Sequence, residues 1–163
     1  PHSQLVVVPK QINLDALSRE PISNVVMENT HYVTYCPDFS QWPFEKWVAP
    51  RQQGTRFSDV IDSELPDLAE ILHSATRSIE VAYHDPRFLH IHGATPFGYN
   101  YYISSGTNWF IRIIPRFIHR AGFELGTGLN VNVMDPATAA GYLKEVTEKS
   151  TTAPSVEVPG APS

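Results

Sequence analysis

The stretch that decides the fold runs from Asn108 to Asn132 and reads NWFIRIIPRFIHRAGFELGTGLNVN. Its first part, Trp109–Ile114, is β-branched or aromatic apart from one arginine and is stopped by Pro115, which predicts a β-strand. Side chains alternate along a strand, so one face carries Trp109, Ile111 and Ile113 and the other Phe110, Arg112 and Ile114. We predict that the first face is core. Arg112 stands among apolar neighbours and therefore needs an anionic partner or a wet cleft.

A glycine-rich segment follows this strand. Gly122–Gly128 places an aromatic residue and a carboxylate, Phe123 and Glu124, between glycines. Because glycine permits positive φ and a close approach of the backbone, we predict a loop that lays Glu124 beside a ligand. Alternatively, Glu124 pairs with Arg116 or Arg120 and the glycines only turn the chain.

These residues resemble the second half of the galactose-1-phosphate uridylyltransferase family, in which two histidine-triad domains are fused. Relatives commonly read W-H-I-E-I-I-P-R and then A-G-F-E-x-G-T-G. The similarity extends from about Val25 to about Leu143. The matching residues are Trp109, Ile111, Ile113–Arg116, Ala121–Glu124, Gly126–Gly128, Trp42–Glu45 and Tyr99–Ile103.

The chain departs from the family pattern at three positions. Where this chain has Ser104, Phe110 and Arg112, the resemblance implies histidines. In some members of the family, those histidines help to bind a structural metal. None of these three side chains is a suitable transition-metal ligand, so we expect no metal and no cofactor. The family's nucleophilic histidine lies in an H-P-H-G-Q-like motif of the first half, which is missing from this sequence, so we expect no catalytic residue here. Arg112 cannot attack a phosphate; it either clamps one or is a neutralised position.

Composition narrows the class of protein. The chain has 163 residues, 42% of them hydrophobic and 18% charged, with a net charge of −5. These values are typical of one soluble domain and argue against nucleic acid or an anionic membrane as partner. No apolar run is long enough for a membrane span and no secretory pattern opens the chain, so we expect a cytoplasmic protein. The start at Pro1 suggests a processed or excised segment. The lone Cys36 excludes an internal disulfide, and we interpret it as a buried small hydrophobe.

The remaining patterns predict an α+β histidine-triad-like domain: an antiparallel sheet of about five strands with two packed helices. Residues 1–22 are interpreted as an N-terminal extension or linker with a weak helical patch at Leu14–Leu17, 23–149 as the domain and 150–163 as a flexible tail. His90 and His92 are interpreted either as half of a metal site or as the polar tips of an exposed loop. Strands are predicted at Val25–Glu28, His31–Tyr35, Phe44–Ala49, Tyr99–Ser104 and Trp109–Ile114, helices at Ser63–Tyr83 and Asp135–Lys149, and a loop at Arg87–Gly98.

Two functions fit these predictions. In the first, the chain is the substrate-binding second half of a nucleotidyltransferase-like enzyme and is inactive without a partner half. By resemblance, Glu124 would accept hydrogen bonds from sugar hydroxyls, Phe123 would form one wall of the ligand site, and the backbone amides near Gly122 would lie within reach of the ligand. Asn130 and Asn132 alternate with valines, so both amide side chains face one way and could contact the same ligand. In the second, it is an inert domain used for assembly or ligand sensing. We expect a homodimer or a second histidine-triad-like chain as partner. The reason is that one packed layer cannot easily bury all the aromatic surface of Tyr101, Tyr102, Trp109 and Phe110. The ligand would be a sugar nucleotide or hexose phosphate.

Overall fold

The computed structural model describes residues 14–93, 96–119 and 121–152. Five antiparallel strands form one sheet in the order β1-β2-β3-β5-β4, as the sequence predicts. The strands are β1 (Val25–Glu28), β2 (Tyr32–Tyr35), β3 (Lys46–Pro50), β4 (Tyr99–Ser104) and β5 (Phe110–Pro115).

The first hairpin is stabilised by the side chain of Asn29. Its Oδ1 accepts a hydrogen bond from the backbone N–H of Tyr32 at 3.0 Å, which closes the turn. Its Nδ2 donates to the carbonyl of Asp67 at 2.8 Å, which ties the turn to the long helix behind the sheet. A short polar side chain at this position therefore compensates for a turn that lacks glycine.

Two long helices cover one face of the sheet. The described helices are α1 (Leu14–Leu17), α2 (Leu65–His84), α3 (Leu89–His92), α4 (Gly122–Thr127) and α5 (Pro136–Thr152), with 3-10 turns at Phe57–Asp59, Asp62–Glu64 and Pro86–Phe88. Asp135 caps α5 by accepting from the N–H of Thr138 at 2.8 Å, as the Asp-Pro pair predicts. The helix predicted at Ser63–Tyr83 begins two residues later, because a 3-10 turn precedes α2 and Glu64, rather than Ser63, occupies the cap position.

The main core lies between these helices and the predicted inner face of β5. Trp109, Ile111 and Ile113 are buried there. Ala75 and Ile79 of α2 meet them from the other side, which confirms the three- and four-residue periodicity of that helix.

The opposite face of the sheet holds a second, smaller core. Phe110 stacks on Trp47 with their ring centroids 3.7 Å apart and their planes 5° apart, and Leu17 and Phe39 pack on this cluster. Trp109 and Phe110 are both 1% exposed. The expectation that they contribute aromatic surface is therefore wrong, because each face of β5 has its own covering layer.

Strand β4 is an edge of the sheet and pairs only with β5 among the described strands. Tyr101 is 65% exposed, and Tyr102 and Ile103 are also exposed. The aromatic surface expected from the sequence is therefore present at β4 and absent at β5.

Two predicted loops contain helices. Gly122–Thr127 forms α4, which ends at Gly128 with a left-handed φ of 72°. The predicted loop 87–98 contains α3, so His90 and His92 lie on a helix, where their side chains do not share one face as they would in a strand. His92 is buried: its ring stacks on Tyr83 at 3.8 Å and its Nε2 is 2.8 Å from the Tyr83 carbonyl oxygen. His90 is exposed, as the second interpretation expects, although it lies on α3, and for His92 that interpretation is wrong. Most of the predicted extension, residues 1–13, and most of the predicted tail, residues 153–163, lie outside the described range.

Candidate functional site

The segment before β3 places the carboxylate of Glu45 on the face of the sheet opposite the main core. The backbone N–H of Glu45 donates to the carbonyl of Trp42 at 3.1 Å, and Phe44 between them has a left-handed φ of 58°. This turn directs Phe44 into the main core and Glu45 onto the opposite face, where both are 1% exposed. A non-glycine residue at positive φ is sterically costly, and the packing of Phe44 offsets that cost.

Glu45 and Arg112 form a buried ion pair with two-point geometry. Arg112 donates from Nε to Oε1 at 2.7 Å and from Nη2 to Oε2 at 3.0 Å. Trp47 Nε1 donates to Oε1 at 2.9 Å, and the backbone N–H of Gln41 donates to Oε2 at 3.0 Å. The carboxylate thus accepts four hydrogen bonds, which a buried anion requires.

The other donors of Arg112 also have partners. Nη1 donates to the hydroxyl of Tyr102 at 3.0 Å, and Nη2 is 3.2 Å from Oε1 of Gln41. Burial by itself would lower the pKa of Arg112, but the hydrogen bonds and charge of Glu45, with a contribution from Tyr102, raise it overall. Arg112 is therefore a permanently charged, neutralised group, which agrees with one of the two interpretations of this position.

The three departures from the family pattern lie together in the structure. Ser104 is the register partner of Phe110 across β4 and β5, and Tyr102 is the partner of Arg112. Phe110 is stacked on Trp47, and Arg112 is bound to Glu45. In the described part of the chain, no group of three or more His, Cys, Asp or Glu residues could hold a metal ion.

Glu124 lies on α4 and caps its own helix. Its Oε2 accepts from the backbone N–H of Ala121 at 3.1 Å, one half of a capping box. No hydrogen bond to Oε1 is present among the described residues, and no ion pair joins Glu124 to Arg116 there; Arg120 lies outside the described range. Phe123 beside it is 55% exposed, and a side chain added at Gly122 would meet open space. One carboxylate oxygen and an aromatic ring are thus available to a ligand.

The two predicted asparagines lie in the strand-like segment after α4 and face the loop before β3. Asn132 donates from Nδ2 to the carbonyl of Ser40 at 3.0 Å, and its Oδ1 accepts from the N–H of Met134 at 3.0 Å. Asn130 Nδ2 is 3.4 Å from Oε1 of Gln41, the atom that Arg112 also contacts. Asn130 thereby joins the Arg112 network, whereas among the described residues Glu124 makes no hydrogen bond or ion pair with that network.

The sequence predicted an anionic partner for Arg112 but did not identify it as Glu45. Gln41 and Tyr102 were missed as members of the network. One signal was available, since an arginine facing an otherwise apolar sheet surface requires a carboxylate on the adjoining strand or loop. The distance of 67 residues between the two side chains hides that relationship in the sequence.

Comparison with known proteins finds relatives that align with about three quarters of the chain. The chain is 29% identical over 122 residues to ADP-glucose phosphorylase from Arabidopsis thaliana, which covers 75% of this chain and 35% of that protein. The crystal structure of an ADP-glucose phosphorylase from the same plant, with bound ADP-glucose, has a TM-score of 0.65 at 27% identity over 80% of this chain and 42% of the other. A GalT-like protein from Arabidopsis thaliana gives 0.64 at 28% identity, with coverage of 74% and 40%.

The chain is therefore a homologue of an ADP-glucose phosphorylase and of a GalT-like protein. It spans less than half the length of these relatives. The histidine-triad-like fold is confirmed by solved structures such as a Hit-like protein from Bartonella henselae, with a TM-score of 0.52 at 13% identity over 81% of this chain and 92% of the other. No protein-family model matches the chain. None of the described helices is both long and apolar enough to cross a membrane.

Proposed function

We propose that this chain is the substrate-binding second half of a nucleotidyltransferase-like protein and that it binds a sugar nucleotide at residues 122–132. The observation that carries the proposal is the extent of the homology. About three quarters of the chain aligns with 35% of an ADP-glucose phosphorylase, a length that corresponds to one of two fused domains. The assignment to the second half rests on the Gly122-Phe123-Glu124 run and the resemblance it carries.

The features of α4 support a site for sugar hydroxyls. Glu124 keeps one carboxylate oxygen without a donor in the described part of the chain, and a carboxylate oxygen can accept hydroxyl hydrogen bonds from a hexose. Phe123 provides an exposed apolar wall next to it. Asn130 adds an amide that is already positioned by Gln41. Pre-positioned polar groups beside an aromatic surface are typical of small-ligand sites.

A second histidine-triad-like domain, from another copy or another chain, would complete the protein. The exposed Tyr101 and Tyr102 on the edge strand β4 offer a surface that such a domain can extend or cover. Beyond α4, the outward-facing residues Leu129, Val131 and Val133 are apolar and exposed, whereas Asn130 and Asn132 face inward. A segment with its apolar side outward is suited to burial against a partner.

The partner would also supply the nucleophile. Imidazole serves as nucleophile in nucleotidyl transfer because its neutral form attacks phosphorus and its protonated form leaves readily. This sequence has no H-P-H-G-Q-like run, so in our proposal it contributes binding and orientation only. We therefore expect the chain by itself to transfer no nucleotide.

A second candidate function is an inert domain for assembly or ligand sensing. The observation in its favour is the closed Glu45–Arg112 pair beside the Trp47–Phe110 stack. Phe110 and Arg112 occupy two of the three positions where the resemblance implies histidines. A domain that has lost its chemistry can retain the fold and the interface.

Calorimetry with ADP-glucose distinguishes the two functions. The substrate-binding proposal predicts that the wild-type chain binds and that Glu124→Gln, which keeps the shape and loses the charge, weakens binding about tenfold or more. Glu80→Gln is the matched control, because it makes the same change on α2, away from the candidate site, where Glu80 accepts a hydrogen bond from Nη1 of Arg77 at 2.7 Å. No binding by the wild type, or equal affinity in Glu124→Gln, would favour the inert domain.

A further inference from the structure

A cleft of about 360 Å³ opens at the end of the sheet opposite the candidate site. The segment that carries Gln41 and Glu45 precedes β3, whereas the cleft is formed by residues that follow β3, together with the start of β2 and of β5. Its volume falls within the range of roughly 300–1,000 Å³ of small-molecule sites. The lining residues used below are His31, Arg51, Arg56, Asp59, Glu64 and Trp109.

The wall of the cleft is held in place by backbone hydrogen bonds and one asparagine. The N–H of Arg51 donates to the carbonyl of His31 at 2.9 Å. Asn108 accepts from the N–H of Gly54 through Oδ1 at 2.6 Å and donates from its own N–H to the carbonyl of Thr55 at 3.1 Å. Gly54 and Asn108 both have left-handed φ, 82° and 67°. The loop is thus fixed at two points, which reduces the entropy lost when a ligand binds.

The acidic groups around the cleft are already engaged within the protein. Asp59 accepts from the N–H of Arg56 at 2.8 Å and from the hydroxyl of Ser58 at 3.3 Å. Glu64 accepts from the hydroxyl of Tyr32 at 3.4 Å. Outside the lining itself, Asp67 lies 2.7 Å from Nδ1 of His31. Each carboxylate in the lining therefore accepts at least one hydrogen bond from a protein donor.

The donors of the cleft are much less engaged. The guanidinium of Arg56 donates to no group among the described residues, and the side chain is exposed. Arg51 donates from Nη1 to the carbonyl of Asn29 at 3.0 Å, and its Nε is 4.0 Å from the exposed Glu28. Two guanidinium groups with spare N–H donors favour an acceptor-rich anion, and their planar geometry suits phosphate oxygens.

The inner end of the cleft is apolar. It contains Val60 and Trp109, and the ring of Phe57 meets the Trp109 indole edge-on at 5.0 Å. Because Trp109 is 1% exposed, a ligand with an organic body would contact mainly the half-buried Val60 and only a small part of the Trp109 indole, and a bare inorganic anion would not use this surface.

We propose that this cleft binds a small organic phosphate, with the phosphate on Arg56 and Arg51 and the organic part directed toward Trp109. The site is separate from the one around Glu124 and does not depend on the proposed sugar-nucleotide function. The first probe is ribose 5-phosphate. The controls are ribose, which lacks the phosphate group, and inorganic phosphate, which lacks the organic part.

The test is a titration of the ¹⁵N-labelled chain followed by NMR. Ribose 5-phosphate is expected to shift the amides of residues 51–56 and the indole N–H of Trp109, with inorganic phosphate competing and ribose giving no shift. Arg56→Gln is expected to raise the dissociation constant about tenfold or more. The matched control Arg77→Gln, an exposed arginine on α2 that pairs with Glu80, should leave the constant unchanged.

Three results would overturn the proposal. Ribose could bind as tightly as its phosphate, Arg56→Gln could bind like the wild type, or saturating ribose 5-phosphate could shift no resonance of residues 51–56. If the shifts appeared only around Glu124, the ligand would belong to the other site. Because Arg56 is exposed and no described group depends on its guanidinium, the variant should fold, and its unchanged amide spectrum would verify this.

Discussion

Arg112, in the middle of β5, donates two hydrogen bonds to Glu45, a residue 67 positions earlier, at 2.7 and 3.0 Å. The pair lies on the face of the sheet opposite the two long helices and is almost fully removed from solvent. Two desolvated charges are costly alone and acceptable together. This relationship explains why the sequence tolerates an arginine in an otherwise apolar strand.

The ion pair leads to a stability prediction. Glu45→Gln should lower the free energy of unfolding by about 3–5 kcal/mol, because it leaves the Arg112 charge buried without its anion. The double variant Glu45→Gln/Arg112→Met should recover a substantial part of that loss, since the uncompensated charge is gone. Urea unfolding of the wild type, both single variants and the double variant measures this coupling. Strictly additive losses would contradict it.

Lys46 gives a prediction on pH dependence. The side chain is 0% exposed and donates from Nζ to Oγ of Ser78 at 2.6 Å. Burial lowers the pKa of Lys46 from 10.5 to about 8, with the nearby Cys36 acting in the opposite direction. Between pH 8 and 10.5 the unfolded chain therefore binds more protons than the folded chain, so the contribution of Lys46 to stability rises with pH across this window. Below pH 8 the folded protein carries the buried charge at a cost on the order of 3 kcal/mol.

A second group limits the useful range of this measurement. Burial raises the pKa of Cys36 from 9.0 to about 12, Lys46 partly offsets that rise, and Glu45 adds to it. Stability from Cys36 is complete below pH 9 and is lost above it, because the unfolded thiol ionises first. We therefore expect wild-type stability to rise by about 1 kcal/mol from pH 8 to 9.

The test compares Lys46→Met with Lys149→Met by urea unfolding at pH 7, 8 and 9. Lys46→Met should be more stable than the wild type at pH 7 and should lack the rise. Lys149 is exposed and pairs with Glu145, so its replacement should preserve the wild-type profile. A rise of equal size in Lys46→Met would show that another group is responsible.

The face of the sheet that carries Phe110 and Arg112 gives a prediction on metal content. We expect the purified chain to contain no stoichiometric zinc or iron, because Phe110 is stacked on Trp47 and Arg112 is bound to Glu45. His92 is a poor alternative ligand, since its Nε2 faces the carbonyl of Tyr83 in a buried position. Elemental analysis after dialysis measures the content directly. One zinc per chain would contradict this prediction, and its loss in His90→Ala would locate the metal at α3.

The edge strand gives a prediction on assembly. We expect the chain to form a homodimer or to bind a second histidine-triad-like chain, because exposed apolar groups on an unpaired edge favour association. Tyr101→Lys should weaken this association about tenfold or more, whereas Ile61→Lys, at another exposed apolar position, should not. Sedimentation across the micromolar range, with a pull-down for other partners, provides the measurement. A monomer at high micromolar concentration with no captured partner would rule out the expectation.

The sheet was predictable from the sequence because its signals are local. Trp109–Ile114 shows its period over six residues, and Asp135-Pro136 marks a helix start in two. The features that were missed depend on distant residues. Phe110 is buried because Trp47 lies beside it, and His92 because Tyr83 does. The glycines of Gly122–Thr127 indicated a loop, but the short helix there is closed by the Glu124 cap and by Gly128.

Only part of the candidate site could be predicted for the same reason. Glu124 and the asparagines were proposed from a short run of sequence that resembles the uridylyltransferases. The network behind Asn130 joins Trp47 of β3, Arg112 of β5 and the loop residues Gln41 and Glu45, and the register that aligns them is a property of the folded sheet. A single sequence contains the members of such a network but not their pairing.

Hydrogen exchange with and without ADP-glucose tests the central claim, binding at residues 122–132, most directly. The account predicts that the ligand slows exchange in peptides that cover α4 and the Asn130–Asn132 segment, that peptides covering the middle of α2 (Leu65–His84) stay unchanged, and that Glu124→Gln removes most of the protection at the same ligand concentration. Equal exchange with and without saturating ADP-glucose, or protection confined to another part of the chain, would contradict it.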